Sequence, residues 1–198
     1  GKKKYDLFVT DDLLVVNGWY RKIPTLLFQD DDIAAVPESQ LLFIFAKRII
    51  SPSVSNMGRY NIKKIPFLGF KELGGLHPNR FKPDYQIVKR FNPSKQKYFI
   101  IRLVSLQATH DTGKKGLTDE DVIKIISLLE RTGGKVFITS ERELPSKFEA
   151  YRICINPNDI AHALYYAEFL ISDSQTMSAE AGVLGTPYIR YNDFVDKI

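Results

Sequence analysis

FLISDSQTMSAEAGVLGTPYIR, residues 169–190, carries the fold signature of this chain. Phe169 to Ser172 is a short β-rich run and Asp173-Ser174 a polar turn. A helix then starts at Ser174 or Thr176 and ends at Gly185, where a left-handed cap suits glycine. Thr186-Pro187 leads into a further strand, Tyr188 to Arg190. The same strand–helix–strand grammar extends upstream. Asn156-Pro157-Asn158-Asp159 opens a helix with apolar Ile160, Ala163, Leu164 and Ala167 on one face. Lys135 to Ser140 and Tyr98 to Ser105 read as strands. Between them, Thr118-Asp119-Glu120-Asp121 forms a capping-box pattern ahead of Val122, Ile125, Ile126 and Leu129, and Gly133-Gly134 stops that helix. Strands alternating with helices predict an α/β fold with a parallel sheet built from right-handed crossovers.

The first half repeats this rhythm less regularly. Strands are expected at Leu7 to Thr10, Thr25 to Phe28, Arg48 to Ser51 and Ile65 to Phe67, with helices at Asp12 to Tyr20 and Val36 to Phe45. Gly74 to Pro93 holds two adjacent glycines and three prolines with little periodicity, which suits a linker or crossover and sets a boundary near residue 90.

Composition narrows the class. With 198 residues, 44% of them hydrophobic and 26% charged, the chain can bury a core and does not read as disordered. Its one cysteine, Cys154, excludes an internal disulfide and any multi-thiolate zinc site, and points to a cytoplasmic setting. No apolar run approaches the roughly 20 residues of a membrane helix. The net charge of +5 is dispersed among acidic groups such as Asp30 to Asp32, and no nucleic-acid-binding motif is present. Three scattered histidines make no metal-ligand spacing, so neither metal nor cofactor is expected. The nucleophile-elbow, Walker and dinucleotide-binding glycine patterns are absent as well.

Chemistry concentrates at strand ends. A helix N-terminus following a strand aims free N–H groups at the sheet's C-terminal edge, which makes an anion site at Ser174 to Thr176. The hydroxyls of Ser174 and Thr176 would add donors to a diphosphate, and Glu180 would accept from ribose; the plainer alternative is a capping serine and a solvated glutamate. Asp11-Asp12 and Asp30-Asp31-Asp32 lie at the ends of two strands, where Asp11 and Asp31 are candidates for proton transfer and Asp12 and Asp32 for helix caps. A third group follows Tyr98 to Ser105: Arg102, Ser105, Gln107, Thr109, His110 and Asp111. Arg102 inside an apolar strand needs a partner, whether a ligand or a structural ion pair. Ser140 and Glu141 are further edge candidates.

The pattern Asp173-Ser174, Glu180-Ala181, Leu184-Gly185 and Pro187 resembles the nucleotide-sugar segment of GT-B-type proteins, especially UDP-N-acetylglucosamine 2-epimerase and related glycosyltransferases. Over most of the chain the sequence also resembles the domain of unknown function 354 family. That likeness rests on Thr10-Asp11-Asp12-Leu13-Leu14, Gln29-Asp30-Asp31-Asp32, Gly69-Phe70-Lys71-Glu72-Leu73, Leu76-His77-Pro78-Asn79, Phe81-Lys82-Pro83-Asp84 and Asp173 to Lys197. The resemblance implies two Rossmann-like halves with parallel sheets: an incomplete N-terminal one with its linker over residues 1–90, and a nucleotide-sugar-binding one over 91–198, cut short at its end.

Carried over residue by residue, Ser174, Gln175 and Thr176 would face phosphates and Glu180 a ribose. Arg102 and Ser105 would add to the nucleotide site, and Asp11, Asp31 and His110 would act in catalysis, His110 by contacting phosphate or sugar. One departure stands out: the epimerases have two glycines after the serine where this chain has Gln175 and Thr176. The expected activity is metal-independent glycosyl transfer in polysaccharide or glycolipid synthesis, from a UDP-sugar donor to a carbohydrate or lipid-linked acceptor at the inner membrane surface. Epimerisation and non-catalytic nucleotide or sugar binding are the alternatives.

Overall fold

The computed structural model describes residues 4–105 and 116–192. Among the described residues the main elements in chain order are β1 (Phe8–Thr10), α1 (Leu14–Tyr20), β2 (Thr25–Phe28), α2 (Gln40–Phe45), β3 (Arg48–Pro52), a 3-10 helix (Gly58–Lys63), β4 (Lys64–Phe67), α3 (Leu73–Leu76), α4 (Tyr85–Lys89), β5 (Tyr98–Leu103), α5 (Asp119–Glu130), β6 (Lys135–Ser140), α6 (Ile160–Tyr165), β7 (Phe169–Ser172), α7 (Gln175–Leu184) and β8 (Tyr188–Arg190). Every strand pairing is parallel, within two separate four-stranded sheets. The α/β class and the two parallel sheets expected from the sequence are therefore present.

Two compact units divide between Lys71 and Glu72. The sequence reading puts that division near residue 90. The difference arises because residues 72–90 hold two short helices that pack within the second unit: α3 against α7, and α4 against α6. In the same segment, the Asp84 N–H donates to His162 Nδ1 at 3.0 Å and the Tyr166 hydroxyl to the Pro83 carbonyl at 3.4 Å. Contacts so distant in sequence leave no local periodicity to read.

In the first unit the strand order is β1-β2-β3-β4. Val15, Leu27, Phe43, Ile49 and Met57 form its core, and each is fully buried. The opposite sheet face carries Val9, Phe28 and Ile65, which are 54%, 44% and 44% exposed. In the second unit the order is β6-β5-β7-β8, and both faces are covered. Phe99, Ile101 and Leu103 of β5 pack with Val122 and Ile126 of α5 on one face. Tyr98 and Ile100 pack with Ala163, Leu164, Met177 and Ala181 of α6 and α7 on the other. Leucine-sized side chains fully buried in such a core contribute about 1.5–3 kcal/mol each.

The local signals behave as their chemistry requires. Thr118 and Asp121 form a reciprocal capping box at the start of α5, and Ser174 caps α7. Gly185 ends α7 at φ +81°, the left-handed region where a Cβ is unfavourable. Among the described residues, no helix is long and apolar enough to cross a membrane.

Candidate functional site

In the second sheet, β5 has β6 on one side and β7 on the other, so the chain steps from β5 to β6 in one direction and then crosses back past β5 to β7. This is a topological switch point, and α/β ligand crevices open outside the strand C-termini at such points. Arg102 to Ser105 and Ser172 to Ser174 flank it.

At this edge the sheet's composition changes in one step. Phe137, Ile100, Leu170 and Tyr188 are register partners across β6-β5-β7-β8. Two residues further along, the partners are Thr139, Arg102, Ser172 and Arg190. Strand alternation puts both rows on the face that carries α6 and α7. An apolar layer thus gives way to a polar row beside the N-terminal turn of α7.

Asp173 organises the turn between β7 and α7. Its carboxylate is only 2% exposed and accepts from the backbone N–H of Val104 at 2.8 Å and of Leu117 at 3.3 Å. Burial pushes its carboxyl above the ordinary aspartate value, against the lowering effect of those two bonds and of Arg142. A Cβ on Gly116 would come within 2.6 Å of its Oδ2, so glycine is what allows this close approach. Sequence reading includes Asp173 in the motif without a role; its signal is an acidic residue between a strand and a capping serine.

Ser174 Oγ accepts the Met177 N–H at 3.2 Å, and the Ser174 carbonyl accepts from Ser178 Oγ at 2.7 Å. The hydroxyl proton of Ser174 can still be donated toward the edge. Gln175 is half-buried and Thr176 is exposed in the same turn. Glu180 is half-buried one turn further in. Burial and the neighbouring Glu72 charge raise its carboxyl above the usual glutamate range, and Arg102 pulls it back. Ser105 lies half-buried just past β5. Arg102 pairs with Glu141, the residue that follows β6. Ser140 Oγ is turned to the Arg142 carbonyl at 2.7 Å.

His110 and the adjoining Gln107, Thr109, Asp111, Lys114 and Lys115 lie outside the described residues. In the first unit, Asp12 accepts from the Leu14 N–H at 2.7 Å and from the Thr10 hydroxyl at 2.8 Å, bonds that hold its carboxyl below the ordinary value. Asp32 accepts from Ala34 and Asn56, and Asp30 pairs with Lys71 at 2.5 Å. Those three carboxylates are engaged locally. Asp11 is exposed and makes no hydrogen bond or ion pair among the described residues, whereas Asp31 is half-buried. An open groove of about 580 Å³ beside β3 and β4, lined by Ser53, Val54, Ser55, Asn56, Asn61, Lys64 and Pro66, has no sequence signature. Among the described residues, no group of histidine, cysteine or carboxylate side chains is arranged to hold a metal.

The fold is shared with proteins of known structure. UDP-N-acetylglucosamine 2-epimerase from Rickettsia bellii aligns over 92% of this chain and 54% of its own, with a TM-score of 0.61 and 18% identity. The Methanocaldococcus jannaschii UDP-GlcNAc 2-epimerase, in complex with UDP-GlcNAc and UDP, aligns over 93% of this chain and 59% of its own, with a TM-score of 0.61 and 11% identity. The chain therefore spans a little over half the length of these structures and has a GT-B-like fold. Neither a protein-family model nor a curated protein matches it. The expected membership of the domain of unknown function 354 family is therefore not supported.

Proposed function

We propose that the second unit binds a nucleotide-activated sugar, a UDP-sugar in particular, at the β5/β7 switch point. The observation that carries this reading is the placement of the Ser174-capped N-terminus of α7 at that point, with Glu180 a turn behind it. The N-terminal turn favours anionic ligands through its N–H groups and helix dipole. Ser174, Gln175 and Thr176 would hold the diphosphate and Ser105 would add a donor, while the Glu180 carboxylate would accept ribose hydroxyls.

The same donors would stabilise a departing diphosphate, where charge develops as the sugar bond breaks. The reaction that follows is glycosyl transfer to a carbohydrate or lipid-linked hydroxyl, with His110 assigned to the sugar or phosphate and Asp11 or Asp31 to proton removal. Asp11 is favoured over Asp31 by its exposure. Epimerisation is the second reading, and the likeness to two epimerases favours it.

Thermal-shift measurements with UDP and UDP-GlcNAc test the binding step. Wild type should gain several degrees at saturating ligand and Glu180→Ala little or nothing; no gain in wild type would sink the reading. Incubation with UDP-GlcNAc in deuterated water separates the reactions. Deuterium at sugar C2 without an acceptor indicates epimerisation, and its absence together with sugar transfer to an added acceptor indicates a transferase.

A further inference from the structure

Arg102 is half-buried in an arrangement that its ion pair with Glu141 does not complete. Its side chain is 17% exposed, and its Nη2 donates to Glu141 Oε1. Its Nε is buried and has no hydrogen-bond partner among the described residues. Thr139, its register partner on β6, is 5% exposed, and Thr139 Oγ1 is likewise buried and without a partner among the described residues. A buried polar atom without a partner costs about 1–3 kcal/mol, so two on neighbouring strands at one level are not expected of inert packing.

What this row faces is α7. Met177, Ala181 and Leu184 form its packing stripe against the sheet. Glu180, three residues after Met177, lies on the flank of that stripe, since positions i and i+3 are neighbours on a helix. Two charges act on Glu180 from other elements: Arg102 from β5 and Glu72 from the start of α3. Arg102 is thus hydrogen-bonded to Glu141 and lies on the sheet face that carries α7, where its charge lowers the Glu180 carboxyl against burial and Glu72.

We propose that Arg102 is a positioning residue: anchored by Glu141, it fixes the Glu180 carboxylate for the hydroxyls of a ligand at the α7 N-terminus and does not itself touch that ligand. This differs from a direct phosphate contact, the role that resemblance suggests for Arg102. The ligand's identity rests on the nucleotide-sugar reading above, while the coupling of Arg102 to Glu180 is a property of the ligand-free chain.

Two measurements on the full chain keep these apart. In ligand-free protein, the Glu180 carboxyl is titrated by NMR in wild type, Arg102→Met and Glu141→Gln. Arg102→Met should raise the midpoint, because an opposite charge nearby favours the ionised form. Glu141→Gln should lower it, because Arg102 is then left to Glu180. The Glu141 side chain is 48% exposed, so this variant carries the test even if Arg102→Met does not fold.

UDP affinity is then measured by calorimetry. Arg102→Met should weaken binding about tenfold in the wild-type background and scarcely at all when Glu180 is already Gln, as expected of two residues acting as one unit. Arg102→Lys should recover part of the loss. An unmoved midpoint in either variant, or fully additive losses, overturns the positioning role. Shifted midpoints in a protein that binds no UDP would support the coupling and overturn only the ligand assignment.

Discussion

The two sheets use the same strand–helix–strand grammar and end in different architectures. In the first, the order β1-β2-β3-β4 advances one strand at a time in one direction. Right-handed crossovers then put each connection on the same face, which is why α1 and α2 share one core and Val9, Phe28 and Ile65 face outward. In the second, the order β6-β5-β7-β8 reverses at β5. The same handedness then sends α5 to one face and α6 and α7 to the other. One reversal gives a sheet covered on both faces and opens a crevice at its C-terminal edge. Side-chain capping differs too: α4, α5 and α7 of the second unit are capped by Asp84, Thr118 and Ser174, while α1 and α2 carry no side-chain cap. The crevice itself comes from strand order.

The sharpest way to break this comparison is to cut into both sheets. Ile100→Ala, in the doubly covered sheet, should cost about 2–5 kcal/mol, whereas Val9→Ala on the outward face of the first should stay within about 0.5 kcal/mol. Urea unfolding measures both, and equal losses would show that the outward face is packed in solution.

Asp173→Ala should follow, at about 3 kcal/mol, because it strands the N–H groups of Val104 and Leu117. The pH dependence has a definite sign. Burial raises the folded-state carboxyl above its unfolded value, so the folded chain holds the proton more tightly. Ionising Asp173 therefore removes stability as pH rises from about 4 through the raised folded value. Stability measured between pH 3 and 7 should fall less steeply with rising pH in Asp173→Ala than in wild type over that interval; an unchanged slope would mean that Asp173 ionises as it does in the unfolded chain.

Smaller effects separate a cap from a site. Ser174→Ala should lose about 1 kcal/mol of stability through its cap and, in addition, weaken UDP binding. Asp12→Ala removes a comparable turn bond ahead of α1 and should leave UDP binding unchanged. If the two variants bind UDP alike, the α7 N-terminus is a cap and nothing more. Gly185→Ala should cost about 1 kcal/mol, because φ +81° is unfavourable for a residue with a Cβ, and leave UDP affinity intact.

Much of this was legible in local chemistry. The Thr118–Asp121 box, the Ser174 cap, the Gly185 stop and the alternation of strands with amphipathic helices depend on residues within a few positions of one another. Long-range pairings left no such trace. The capture of α3 and α4 by the second unit, the bonds from Asp173 to Val104 and Leu117, and the pairing of Arg102 with Glu141 join residues far apart in sequence. Asp11 and Asp12 stand side by side and both are exposed; the fold adds that Asp12 is bonded to Thr10 and Leu14 while Asp11 makes no such bond among the described residues.

By itself, then, the sequence determined the elements, their parallel α/β class and the polar turn ahead of α7, because these follow from backbone propensity, capping and short-range periodicity. Tertiary structure alone decided the strand order. That order is set by which apolar faces bury one another most completely, and no local pattern encodes it. It is the reversal at β5 that brings Arg102, Ser105, Asp173 and Ser174 to one edge and turns a capped helix into a candidate binding site.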